Sequence, residues 1–275
     1  MSKNKLSYTV TDVTATKESQ VFENVPTIQH SKEVKELEKK IAKDCCNAEL
    51  WMKKGLGLAK QKLYREAVEA FSKAICLDPF NALLYRHRGH RLLSSYRFYE
   101  GAADFELASR IEQNNWNIWY HLGFAYHLIG DFERAEKAYK TCYEMTALDC
   151  ELFPAIVNWR VINLMEMGEF DYANDLASLV DPKMPCGENF VYRDMIQVYK
   201  GTKTFEEVLE IKEKYRFANM EYVTKAYGIS RYLALTGMKD EANKIIEVIL
   251  SLAGDCWSGF GYLAAYCVKN NVGRE

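Results

Sequence analysis

Five columns of this chain recur at a spacing of 34 residues. Gly55, Gly89 and Gly123 form one; Ala67, Gly101 and Ala135 a second; Phe71, Phe105 and Tyr139 a third; Ala74, Ala108 and Cys142 a fourth. Trp51, Tyr85 and Trp119 open each unit. A fixed period of this length points to one supersecondary unit stacked several times, because a single unit cannot bury its own apolar face. The first unit reads as two helical stretches, about 48–61 and 64–77. The small residues Gly55 and Ala67 mark where the two helices approach closely. Phe71, four residues after Ala67, falls on the same face and fills the space beside that contact. Asp78-Pro79 stops the second helix, since proline cannot continue it and disfavours helix just before itself.

The residues carrying these columns resemble the tetratricopeptide repeat, whose pattern W-x2-L-G-x2-Y…A-x3-F…P has the same period. Here it stands as Trp51, Gly55, Leu58, Ala67, Phe71 and Pro79, then Tyr85, Gly89, Leu92, Gly101 and Phe105. The third unit gives Trp119, Leu122, Gly123, Tyr126, Ala135 and Tyr139. Lys54 and Arg88 replace the leucine, and Gln113 and Ala147 stand where the closing proline would fall. The resemblance is clear over 48–147. It continues in divergent pairs over 151–252, and a last helix at about 256–270 is expected to cap the array. It implies an all-α, tetratricopeptide-like right-handed superhelical solenoid of about six helix pairs, running as one domain from 31 to 275. Residues 1–30 read as a separate extension, either disordered or docked, into the groove or between protomers, through Val21-Phe22 and Val25-Pro26. From Ser31 a charged helix to about Lys43 caps the first repeat.

Composition removes several function classes. A net charge of -2 and a pI near 6.3 give no broad attraction to nucleic acid or anionic lipid. The N-terminus lacks an apolar signal region and no apolar run reaches membrane-spanning length, so the chain reads as cytoplasmic, with neither a nucleic-acid nor a membrane partner. The eight cysteines include no C-x-x-C pair, which removes the main support for zinc-ribbon or thioredoxin-like chemistry. No G-x-S-x-G, phosphate loop or H-E-x-x-H is present, so no catalytic residue and no cofactor is assigned.

In the family, the first helix of each pair lines a concave surface. By that resemblance the partner-binding groove here holds Met52, Leu56, Arg86, His90, Asn117, Tyr120, Phe124 and His127, with Leu93, Asn158 and Ile162 continuing the lining. Within the stretch Tyr85–Arg91, YRHRGHR, Arg86 and His90 lie four apart on one face and then supply a cationic edge to an aromatic floor of Tyr120 and Phe124. Such a surface suits a peptide or partner helix with an acidic or apolar anchor. Some family members grip a chaperone C-terminal carboxylate with a lysine and asparagine clamp. The matching positions are Met52, Leu56, His87, Asn117 and His121, where the lysine and first asparagine are missing. His87 and His121 remain as candidate anion contacts. Four of the five histidines (His87, His90, His121, His127) lie in two adjacent first helices, but no carboxylate or cysteine completes a metal set, and no metal ligand is assigned.

The expectation is therefore a non-catalytic scaffold for a protein or peptide partner. One alternative is a small-ligand or metal-responsive regulator using the histidine-rich groove. The other is self-association, with the groove filled by a second copy.

Overall fold

The computed structural model describes residues 29–146, 151–210 and 218–273. The expectation for the N-terminal extension falls, up to residue 28, outside the described residues. The described chain is all-helical and carries no strand. After α1 (Lys32–Lys43) come six pairs. They are α2 (Ala48–Lys60) with α3 (Tyr64–Leu77), α4 (Ala82–Ser94) with α5 (Phe98–Ile111), and α6 (Trp116–Leu128) with α7 (Phe132–Glu144). There follow α8 (Phe153–Glu166) with α9 (Phe170–Ser178), α10 (Phe190–Tyr199) with the short α11 (Phe205–Leu209), and α12 (Ala218–Leu235) with α13 (Lys239–Ser251). A one-turn α14 (Ala253–Cys256) and α15 (Phe260–Lys269) close the chain. This is the tetratricopeptide-like helix-pair architecture that the 34-residue period implies. None of the described helices is long and apolar enough to cross a membrane. The chain divides after Ile118 into two compact units, each taken by itself below.

In the first unit, α1 starts where Ser31 caps it: its hydroxyl accepts a hydrogen bond from the Val34 amide at 3.2 Å. Val34 is fully buried and joins a core of Leu58, Ala67, Ala70 and Phe71. It sits so close to Gly57 that a methyl there would lie 2.9 Å from its Cγ2. The segment entering α1 is tied to the first pair, with His30 between Glu38 (3.0 Å) and Glu66 (2.7 Å).

The recurring glycine has a sharper role than a helix crossing. A Cβ at Gly55 would lie 2.6 Å from the Phe71 ring, and one at Gly89 3.0 Å from the Phe105 ring. In the second unit a Cβ at Gly123 would lie 2.6 Å from Tyr139. The aromatic column therefore lies directly on the glycine column, ring over backbone. A second column ends each first helix in the left-handed region, with Lys62 and Tyr96 both at φ 62 and Gly130 at φ 74.

The second unit is organised around α8, buried without a break from Phe153 to Met165. Such a helix belongs at the centre of a core, because no face of it is left for water. Helix α15 packs on α12 and α13, and a methyl at Gly261 would run into the Val223 carbonyl. Its first residue, Phe260, reaches α6 and stacks on Phe124, ring centroids 4.1 Å apart.

Candidate partner-binding face

Each residue of YRHRGHR has a distinct place. Tyr85 is half-buried against the Ala74–Ile75–Leu84 and Ala82–Ala108–Ile118 clusters. Arg88 turns to the second helices. It grips Asp104 with two bonds of 2.7 Å and donates to the Ser72 hydroxyl at 3.0 Å. Burial raises the Asp104 carboxyl, while the bond to Arg88 works against that rise. This pair is structural. Gly89 makes room for Phe105, and His90 is half-buried.

The remaining three residues define the candidate site. Arg86 on α4 donates through Nε to Asn117 Oδ1 at 2.5 Å, bridging two first helices. Arg91 lies over the Tyr64 ring, 5.0 Å from its centroid. His87 stacks on Phe71 at 5.6 Å and 19°, with Nδ1 3.4 Å from an Arg86 nitrogen. Burial lowers the pKa of both arginines, and among the described residues no carboxylate pairs with either. The His87 imidazole registers the resulting field. Burial first, then Arg86 and Arg91, push it down to about 4, so it is neutral at physiological pH. Met52 and Leu56 pack, half-buried, against the core cluster that holds Phe71, the ring on which His87 stacks.

In the second unit the other predicted groove residues are committed to internal packing. Phe124 is buried between Phe260 and Trp159, whose ring centroid lies 4.9 Å away. His121 is buried edge-on to Phe260 at 5.7 Å. Tyr120 is half-buried beside Phe260 and Tyr139. Burial, and after it Tyr192 and Tyr139, raise the Tyr120 hydroxyl well above its ordinary value. His127 is fully buried. Its Nδ1 lies 3.2 Å from Asn163 Oδ1 and its Nε2 2.6 Å from the Tyr227 hydroxyl. Asn163 Nδ2 donates to the Phe132 carbonyl at 2.8 Å, which leaves Asn163 Oδ1 facing His127 as an acceptor. A neutral imidazole in this setting carries its proton on Nδ1 and accepts the Tyr227 proton on Nε2. Of the further lining positions, Leu93, Asn158 and Ile162 are buried as well.

Periodicity carried the signal for part of this. His127 stands 34 residues after Leu93, which packs against Gly101, so its column is an interior one. The cover on Phe124 comes from Phe260, outside the period altogether. Arg91 is the site residue that sequence reasoning missed. Its column holds Gly57 and Ala125, and one large cation between two small residues was the available sign. Among the described residues no group of three or more histidine, cysteine or acidic side chains is placed to hold a metal ion.

A family model described as tetratricopeptide repeat matches residues 48–81 and 117–147. Tetratricopeptide repeat protein 33 of Mus musculus is 27% identical over 105 residues, covering 38% of this chain and 40% of that protein. The chain thus matches about two fifths of that relative's length. A crystal structure of MamA superposes with a TM-score of 0.50 at 18% identity, covering 62% of this chain and 90% of that one. The Cut9–Hcn1 hetero-tetramer of the APC/C gives a TM-score of 0.50 at 13% identity, covering 96% of this chain and 47% of that one. At these identities the two structures speak for the fold.

Proposed function

Because this chain belongs to the tetratricopeptide repeat family, we propose that it is a non-catalytic scaffold holding an acidic protein segment on the first-helix face of its first unit. Proteins built from such repeats generally serve as scaffolds for proteins and peptides. The observation that carries the finer reading is the pair Arg86 and Arg91. Withdrawing a guanidinium from water is costly unless a carboxylate or equivalent acceptor compensates it. Two such groups, on one helix and without a carboxylate partner among the described residues, fit a surface completed by an anionic ligand. Asn117 fixes the Arg86 guanidinium, Tyr64 supports Arg91, and the neutral His87 offers a hydrogen-bonding group between them. The half-exposed Met52 and Leu56 supply an apolar seat for a side chain beside the acidic one.

The test uses the full chain and two fluorescent peptides, one with Glu and Asp around a leucine, the other with Gln and Asn in their place. The acidic peptide binds and the neutral one does not, and binding weakens as salt rises. Arg86→Gln or Arg91→Gln weakens it by about 10-fold or more, the worth of one charge-assisted contact. The His87 imidazole pKa rises when the acidic peptide is bound, seen by NMR titration. Equal binding of the two peptides, or no change in either variant, refutes the site.

One further surface supports self-association. Leu77, Phe80, Leu83, Leu107 and Ile111 are all exposed on the first unit, and Phe80 is 83% exposed. Leu77 and Ile111 are 34 residues apart, so they occupy equivalent places in successive repeats. Sedimentation equilibrium of wild type and Phe80→Ser decides it: a dimer present in the first and absent in the second supports the reading, and a wild-type monomer at high micromolar concentration overturns it.

A further inference from the structure

The turn between α1 and α2 holds two adjacent cysteines, Cys45 and Cys46. Both are exposed free thiols, and their Sγ atoms lie 3.9 Å apart. The Cys45 carbonyl accepts a hydrogen bond from the Trp51 indole at 2.9 Å. Trp51 is half-buried against the cores on both sides of α2, and its ring carries the Lys54 ammonium at 5.6 Å. A change in the backbone at Cys45 is thus passed to the residue that opens the first repeat.

We propose that Cys45 and Cys46 form a vicinal dithiol that a peroxide converts reversibly to a disulfide, and that this conversion releases Trp51. In the first step the Cys45 thiolate attacks one peroxide oxygen. The O–O bond breaks, Cys45 becomes a sulfenic acid, and the other oxygen leaves as water after taking a proton. In the second step the Cys46 sulfur attacks the Cys45 sulfur, the S–O bond breaks, and a second water departs with the Cys46 proton. Two thiols and one peroxide give one disulfide and two waters. A small-molecule thiol reverses the change by exchange.

The geometry argues for a labile bridge over a permanent one. Successive Cα atoms are about 3.8 Å apart, short of the span of about 4.4–6.8 Å at which disulfides are relaxed. Closing the ring therefore bends the turn, and a strained, exposed disulfide is readily reduced. The bend acts on the Cys45 carbonyl, the acceptor for Trp51. The Cys46 thiol is raised above its ordinary value, first by its contact with Cys45. Cys76 is also exposed but has no neighbouring thiol in sequence, and it serves as the internal comparison.

The experiment uses the full chain with Cys76→Ser and Cys150→Ser, to suppress coupling between molecules. It is treated with stoichiometric hydrogen peroxide and read by intact mass, peptide mapping and tryptophan emission. The expected result is loss of two hydrogen masses in the peptide holding Cys45 and Cys46, reversed by dithiothreitol. A parallel change in emission is absent when Trp51→Phe is added. Adding Cys45→Ser or Cys46→Ser abolishes the mass loss and leaves oxygen adducts or dimers instead. Oxygen adducts on both cysteines of the intact pair, without the mass loss, overturn the dithiol. A mass loss with unchanged Trp51 emission overturns the coupling to the first repeat.

Discussion

Adding one methyl group at Gly123 tests the ring-over-backbone contact that repeats along the chain. In an ordinary helix Gly→Ala stabilises by about 1 kcal/mol, because glycine gives up more backbone freedom on folding. Here the new Cβ lies 2.6 Å from Cδ1 and 2.7 Å from Cε1 of Tyr139. Carbon atoms rest at about 3.5–4.0 Å, so the overlap is about 1 Å on two atoms at once. Tyr139 is fully buried, and close-packed interiors leave a ring little room to shift. Overpacking of this kind costs about 1–3 kcal/mol, and the full burial puts this case in the upper half. After the helix gain, Gly123→Ala is expected to destabilise the chain by about 1–2 kcal/mol. Gly254 is the control, since a Cβ there meets nothing within 4 Å, and Gly254→Ala is neutral or stabilising. Urea unfolding of both, followed by tryptophan fluorescence, gives the comparison. The double variant Gly123→Ala, Tyr139→Leu then recovers about 1 kcal/mol relative to the sum of the singles, because the added methyl takes space the ring has vacated. A Gly123→Ala variant as stable as Gly254→Ala refutes the argument, and so does additivity with Tyr139→Leu.

Four further outcomes follow from the same contacts. Tyr139→Phe raises stability by about 1 kcal/mol in urea unfolding, because the hydroxyl is buried without a hydrogen-bond partner among the described residues, and Phe71 and Phe105 fill the same column. Lys62→Gly raises it by about 1 kcal/mol through relief of the left-handed backbone, read the same way. Arg88→Met costs about 3–5 kcal/mol near neutral pH, because it strands Asp104. A buried carboxyl with a raised pKa is destabilising once pH exceeds its unfolded value, so the deficit at pH 7 is expected to shrink at pH 5. His87 works in the opposite direction. Its folded pKa, about 4, is below the unfolded 6.5, so the unfolded state binds the proton first and stability falls as pH drops from 6.5 toward 4. The loss is about 2 kcal/mol after allowing for partial exposure, and His87→Gln removes it.

How far sequence reaches into this molecule depends on the distance over which a contact is made. Gly55 and Phe71, or Gly89 and Phe105, meet within one helix pair, and the pair recurs. The same residue types therefore return at one spacing and announce the fold. The Ser31 cap and the Val34 stripe of α1 are equally local and equally readable. That Arg86 and Asn117 stand side by side was legible because neighbouring first helices are one period apart. The contacts of Phe124 and His127 were not, since their partners, Phe260 and Tyr227, come from outside the period. His127 and Tyr227 are 100 residues apart, and no repeat column specifies that approach. Arg91 escaped notice because the pattern assigns its column to small residues, and a pattern describes what is shared.

The stacking of Phe260 on Phe124 also determines how the second unit folds. A strictly modular array contacts only its neighbours, so it tolerates loss of a terminal repeat and unfolds from its ends in steps. Here the final helix touches the first helix of the unit, and the His127–Tyr227 bond adds a second tie of that kind. Removing α15 would uncover Phe124 and His121 at the far side of the unit as well as the faces of α12 and α13. The second unit is thus a globule assembled from repeat parts. Its long-range ties slow its formation, because distant segments meet before their contacts repay the lost chain entropy. They also make it cooperative, so that it is expected to unfold as one block, and trimming it by a repeat amounts to deleting its core.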